Sequence, residues 1–184
     1  MKAIRFYKLF FLLISFSLAA PAFVSAQSEA EEDKSRLMKD AEEARAEFVR
    51  TDELMQSLFN DAYGYVIFPN VGKGAIGVGG AAGNGIVYEK GKAVGKAKMK
   101  QLTVGLQLGG QAYREVIFFE NKAALDRFKE GKFELSAQAS AVAATKGASA
   151  NVKYADGVMI FTQEKGGLMY EASVGGQKFS YDAF

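Results

Sequence analysis

The sequence predicts an α+β protein: N-terminal helices, then an antiparallel β-rich domain, barrel- or sandwich-like, with one short interposed helix. Two patterns predict it. Residues 28–60 carry apolar side chains at helical spacing, and from Tyr63 onward Gly, Val, Ile, Phe and Tyr dominate with a period of two. Size agrees, since 184 residues suit one domain with a short appendage. A composition 49% hydrophobic and 24% charged is too apolar for a disordered chain and too polar for a polytopic membrane protein.

Taken in order, residues 1–26 read as a secretory signal peptide. Lys2, Arg5 and Lys8 form a positive start, Leu9 to Ala20 an apolar run, and Val24-Ser25-Ala26 a small-residue cleavage site. Cleavage near Ala26 sends the protein to the periplasm or outside the cell; the alternative is an uncleaved anchor interrupted by Pro21. Residues 27–61 form a helical N-terminal segment. Leu37, Ala41, Ala44 and Phe48 recur on one face, and Ser28 stands where an N-cap is expected. Thr51-Asp52-Glu53 is a second start signal, so one kinked helix or two short ones fit equally.

Residues 62–184 then form the β-rich domain. Tyr65 to Phe68 reads as a buried strand stopped by Pro69-Asn70. Seven glycines follow between 72 and 85, then a strand at Ile86-Val87-Tyr88 and a turn near Lys90-Gly91-Lys92. Leu102, Val104, Leu106 and Leu108 alternate with polar and Gly positions, as in a half-buried strand. After a Val-Ile-Phe-Phe strand ending at Glu120, Asn121 caps a helix with Ala124, Leu125 and Phe128 inward, closed by Gly131. Strands are expected at Phe133–Ala141, at Ala148–Tyr154, after an Asp156-Gly157 hairpin, at Leu168–Val174, and in the aromatic tail from Gln177.

Composition narrows the chemistry. Cys, His and Trp are absent, which removes disulfides, thiolate zinc sites, Cys nucleophiles and His-dependent triads. Without Cys, an exported protein takes its stability from its core. Three of the 23 basic residues and none of the 21 acidic ones lie in the first 26, so residues 27–184 are near neutral. The charge is unevenly spread: residues 27–61 hold 11 acidic and 5 basic side chains, residues 62–184 hold 10 and 15. A mildly basic body suits an anionic partner.

Three motifs bear on function. Gly72-Lys73-Gly74-Ala75-Ile76-Gly77 fits a dinucleotide fingerprint, but the following Val78-Gly79-Gly80-Ala81-Ala82-Gly83 is poor helix material and no βαβ alternation follows. Glycine there serves tight turns and close strand approach. Lys90, Lys92, Lys96, Lys98 and Lys100 all fall on even positions, which share a face in an extended chain. Like charges so placed repel, so an anionic partner is one reading; an edge blunted against aggregation is the other, and a bulge between Lys92 and Lys96 would split the set. For catalysis only carboxylate pairs or a Ser–Lys dyad remain, and neither Ser136 nor Ser140 stands in a dyad spacing with Lys146, so no enzyme, cofactor or metal is expected.

The run Ala62-Tyr63-Gly64-Tyr65-Val66-Ile67-Phe68-Pro69 with Lys73-Gly74, and the later Val104 to Gln111, resemble the SYLF domain family, as does the order of strand, short helix and small-residue strand that follows. The resemblance covers roughly 54–184. It implies a lipid-binding, β-rich domain with flanking helices; relatives include phosphoinositide-binding and fungal actin-binding members, and exported bacterial ones. This chain departs in lacking SH3 and FYVE modules and in its acidic, not basic, N-terminal helix. The expectation is an exported, non-enzymatic domain that binds anionic phospholipids with phosphoinositide-like headgroups at a membrane surface. Lys90, Lys92, Lys96, Lys98 and Lys100 supply attraction, and Lys73 reaches a phosphate beside backbone N–H groups. The alternative is an envelope module that docks a protein partner without lipid specificity; nothing in the pattern points to nucleic acid.

Overall fold

The structure is a computed structural model that describes residues 20–76, 78–104, 109–133, 140–165, 172–173 and 176–184. Helix α1 spans Ala20–Thr51 and α2 spans Met55–Asp61. Strands β1 (Gly64–Ile76), β2 (Val78–Glu89), β3 (Lys92–Val104) and β4 (Gly109–Phe119) follow, then α3 (Lys122–Lys129). The remainder is β5 (Ser140–Ala143), a 3-10 turn at Ala148–Asn151, β6 (Val158–Glu164), β7 (Ala172–Ser173) and β8 (Gln177–Ala183). The chain divides into two compact units at Arg36/Leu37, and α1 runs through the boundary. In the first unit Lys34 and Glu31 lie 3.7 Å apart, one helical turn from each other. No described helix is long and apolar enough to cross a membrane.

The second unit is an α+β fold built on one sheet. Its strand order is β7-β5-β6-β4-β1-β2-β3-β8, antiparallel except for the parallel β5–β6 pair. The central strands are buried on both faces. Tyr65, Ile67, Ile86, Tyr88, Val116 and Phe118 join one core with Phe48 of α1 and Met55 and Phe59 of α2. Val66, Phe68, Val87, Ile117 and Phe119 join the other with Leu125 and Phe128 of α3. Strict alternation within one strand thus feeds two cores.

The sheet curls. Three strands separate β4 from β8, which in a flat sheet would hold them about 19 Å apart. Yet Gln177 Nε2 of β8 donates to Glu115 Oε2 of β4 at 2.9 Å, and the rings of Phe68 and Phe179 are 5.9 Å apart. Helix α3 packs on β8, with Phe128 and Phe179 at 5.1 Å. Lys129 Nζ on this helix also donates to Glu89 Oε2 at 2.6 Å, and Tyr63 donates to the other oxygen of Glu89. The expected fold class therefore stands, in the form of a single curled sheet covered by helices.

Several local expectations hold. Asn121 Oδ1 accepts the Ala124 N–H at 3.1 Å, capping α3, and Gly131 ends it at φ +67°. Asp156 and Gly157 both take positive φ and turn the chain into β6. Others are corrected. Helix α1 spans Ala20–Thr51, so Ser28 lies inside the helix and not at an N-cap position. Pro69 does not stop β1; it sits at a bulge, where a missing N–H costs no ladder bond. The alternation expected as one strand across Leu102–Gly109 belongs to the end of β3 and the start of β4, with residues 105–108 outside the described set. Residues 148–151 form a 3-10 turn, not a strand. Gly147 enters it at φ +76°, and Ser149 is held by the carboxylate of Asp52. The strands expected at Phe133–Ala141 and Leu168–Val174 lie largely outside the described residues, which include only their β5 and β7 parts.

Candidate functional site

Strand β3 carries most of the lysines singled out by spacing. Its buried residues, Ala97 and Met99, face the core under α3. Lys96, Lys98 and Lys100 alternate with them and so share the opposite face, Lys98 and Lys100 exposed and Lys96 half-buried. This is the face on which Ile86 and Tyr88 pack toward α1, since Lys96 pairs with Ile86, Lys98 with Asn84 and Lys100 with Ala82. Beyond Ile86 the face opens, and Asn84 and Ala82 are exposed.

The set does not stay whole. Val87 pairs with Gly95 but Tyr88 pairs with Ala93, which leaves Val94 as an extra residue in β3. One inserted residue reverses the alternation. Ala93 packs with the core under α1, and Lys92 falls on the other face, opposite Glu89. Lys90 sits in the β2–β3 turn at φ +49°, with Nζ 5.3 Å from the centre of the Tyr63 ring. Lys73 of β1 pairs with Ala81 and Gln111, one row along from the Gly72–Ala82–Lys100 row. Of the five lysines read as one face, three form a row and Lys90 and Lys92 leave it, while Lys73 falls in a neighbouring row.

The row gains one member that spacing could not supply. Strand β8 pairs with β3 so that Lys100 stands opposite Lys178, Lys98 opposite Ser180 and Lys96 opposite Asp182. Lys178 is exposed beside Lys100. The alternation of Lys178, Ser180 and Asp182 with Phe179 and Tyr181 marks its outward direction in the sequence, but only the register joins it to Lys100. Asp182 is the one acid in these paired positions, 3.7 Å from Lys98 and well exposed, where an ion pair contributes little, about 0–1 kcal/mol. Four lysines and one aspartate stand at these paired positions.

Inside the curl the chemistry is different. Glu115 and Gln177 are fully buried, with Tyr113 and Gln101 close to fully so. Burial pushes the Glu115 carboxyl up to about 7, against the opposing hydrogen bond from Gln177. Burial also raises the Tyr113 hydroxyl, reinforced by Glu115. Among the described residues no group of three or more acidic or other metal-ligating side chains could hold a metal ion.

A curled, helix-covered sheet with a basic row along one open face defines a sheet-rich domain with one face of concentrated positive charge. Comparison with known proteins places it further. Residues 100–183 match the family described as "Ysc84: Las17-binding protein actin regulator", which is the SYLF family. The match begins at Lys100 in β3 and runs to the end of β8. The chain is also 32% identical over 127 residues to "Beta cell expansion factor A" of Aeromonas veronii. That alignment covers 68% of this chain and 48% of the relative, so the chain spans about half the length of the curated relative it matches.

Proposed function

We propose that this protein is an exported, non-enzymatic domain that binds anionic phospholipid surfaces through Lys96, Lys98, Lys100 and Lys178. The match of residues 100–183 to the SYLF family supports a lipid- or protein-binding role, and the signal-like residues 1–26 support export. The observation that carries the reading is the β3–β8 row, where neighbouring strands bring lysines 78 positions apart in sequence side by side. Folding alone gains nothing from such crowding, because like charges across a strand pair destabilise it. An anionic surface reverses the sign. Each lysine near such a membrane contributes about 1 kcal/mol, so three are worth on the order of 100-fold in partitioning. Lys90 and Lys92, displaced by the Val94 bulge, lie off this face and contribute less.

Co-sedimentation with vesicles tests this. The protein should pellet with phosphatidylglycerol-containing vesicles and stay in solution with phosphatidylcholine alone. Replacing Lys96, Lys98 and Lys100 by Gln should weaken pelleting on the order of 100-fold, and raised salt should weaken the parent's, since the charges are exposed. Replacing Lys90 and Lys92 should change it little. Equal binding to neutral vesicles, or no loss in the triple variant, would overturn the proposal in favour of a protein partner.

A further inference from the structure

Inside the curl one carboxamide serves two oxygen-bearing side chains. Gln177 of β8 donates from Nε2 to Glu115 Oε2 of β4 at 2.9 Å, and the same amide hydrogen-bonds the Tyr113 hydroxyl oxygen. Glu115 and Gln177 are fully buried, and Tyr113 is nearly so. Glu115 Oε1 and Gln177 Oε1 are each buried without a hydrogen-bond partner. This arrangement suits a carboxylate, which only accepts and is answered by the amide N–H groups. A protonated carboxyl has to donate, and the remaining oxygen of Glu115 has no partner to receive its proton. Both states occur around neutral pH, because burial lifts the Glu115 carboxyl to about 7. Burial also raises the Tyr113 hydroxyl, so it keeps its proton throughout.

A carboxamide carries two donors on one arm and two lone pairs on the other. Its terminal torsion is nearly two-fold, so either arm fits the same space. We propose that Glu115, Gln177 and Tyr113 form a proton-operated latch between β4 and β8, in which the Gln177 carboxamide turns over when Glu115 changes charge. With Glu115 ionised, Nε2 faces Glu115 and Tyr113, as observed. With Glu115 protonated, Oε1 takes that place and accepts both O–H groups on its two lone pairs. The displaced Nε2 donates to the amide oxygen of Gln101, which is buried opposite Gln177 on β3. The end strand is thus tied to β4 on both sides of neutrality, by different bonds.

The groups that face this point narrow the source of the switch. Phe68 of β1 and Thr162 of β6 pair with Glu115, and Glu164 of β6 pairs with Tyr113. Glu164 Oε2 is also buried without a partner, which makes Glu164 the rival acid. On β1, Lys73 holds the register position opposite Gln111, four positions along β4 from Glu115. Tyr181 of β8 donates its hydroxyl to the Val94 carbonyl instead. Strand β2 and helix α3 send apolar side chains to this core, Ala81 and Val87 from one, Leu125 and Phe128 from the other.

The test reads the Gln177 side-chain amide protons of the full-length chain by NMR, with the Glu115 carboxyl carbon reporting its charge. Well above the Glu115 midpoint these protons should show a nuclear Overhauser contact to the Tyr113 ring. Well below it that contact should be lost, and the loss and the carbon shift should share one midpoint. Glu115→Gln keeps the size and removes the charge, so it should show no transition over the same range. Glu164→Gln should keep the transition. A contact that persists across the range in the parent, or is lost at a midpoint other than that of Glu115, would overturn the inference. So would a transition that survives in folded Glu115→Gln or disappears in folded Glu164→Gln.

Discussion

Asp52, where α1 gives way to α2, and Glu115, inside the curl of the sheet, are both buried carboxylates, 2% and 0% exposed, yet they titrate in opposite directions. Burial favours the neutral form of each. At Asp52 that effect is outweighed, because the carboxylate accepts from Ser149 N–H at 2.8 Å, Ser149 Oγ–H at 2.7 Å and Leu54 N–H at 3.2 Å, with Gly147 N–H adding to these. Its pKa falls below the ordinary value. Glu115 accepts one hydrogen bond, from Gln177, and its other oxygen has no partner, so burial prevails and its pKa rises to about 7. The difference teaches that the count of donors, more than depth, decides whether an interior acid is charged. The junction of α1, α2 and the 3-10 turn is built to hold an ion; the interior of the curl is not.

Removing the charged member should cost most. Asp52→Ala strips several charge-assisted bonds and leaves the buried Ser149 N–H unpaired, an expected loss of about 4 kcal/mol in urea unfolding at pH 7. Asp52→Asn, which keeps an acceptor, should cost roughly half of that. Because the folded pKa is depressed, the contribution of Asp52 is present above pH 3.8 and is lost as pH falls through the lower folded value. The acid limb of the stability curve should therefore flatten in Asp52→Ala. If that limb is unchanged, the hydrogen bonds are not holding the charge.

Glu115→Gln is the opposite case. The folded pKa of about 7 lies above the ordinary 4.5, so between these values the native state holds a proton that the unfolded chain has released. Stability is undiminished below pH 4.5, declines as pH rises toward 7, and above that carries a cost of about 3 kcal/mol. The neutral amide escapes that cost. Glu115→Gln should match the parent at pH 4 and exceed it at pH 8 by up to about 3 kcal/mol. Equal stability at pH 8 would mean that Glu115 is solvated or partnered in solution, and the comparison would lose one side.

The two sites also differ in how far sequence alone reveals them. Local signals were sufficient where the cause is local: the Asn121 cap, Gly131, the Asp156-Gly157 turn and the alternation of lysines in β3 all act within a few residues. The α+β class followed from the change of period near Tyr63. Asp52 was legible as a helix start, but its partner Ser149 is 97 positions away and read as the outer face of a strand. The bulge at Pro69 was not legible and the one at Val94 only as an alternative that would split the lysines, because a bulge is defined by the register of the partner strand. That one residue at Val94 is why Lys90 and Lys92 leave the row, and why Lys178 had to be found through β8.

Asn121 supplies the smallest and sharpest test, because it does at a solvated helix start what Asp52 does in the interior. Its Oδ1 accepts the Ala124 N–H at 3.1 Å, and the residue is exposed. Water replaces a lost cap there, so Asn121→Ala should cost only about 1 kcal/mol. Asn121→Asp adds a negative charge at the start of α3, and its oxygen also keeps the capping bond. It should therefore be neutral or slightly stabilising at pH 7, by about 0.3–1 kcal/mol. Unlike Asp52→Ala, Asn121→Ala should leave the acid limb unchanged, and Asn121→Asp should steepen it slightly, because its charge-dependent gain is lost on protonation. Should Asn121→Ala cost as much as Asp52→Ala, capping geometry would explain both sites, and the burial that sets Asp52 apart would count for nothing.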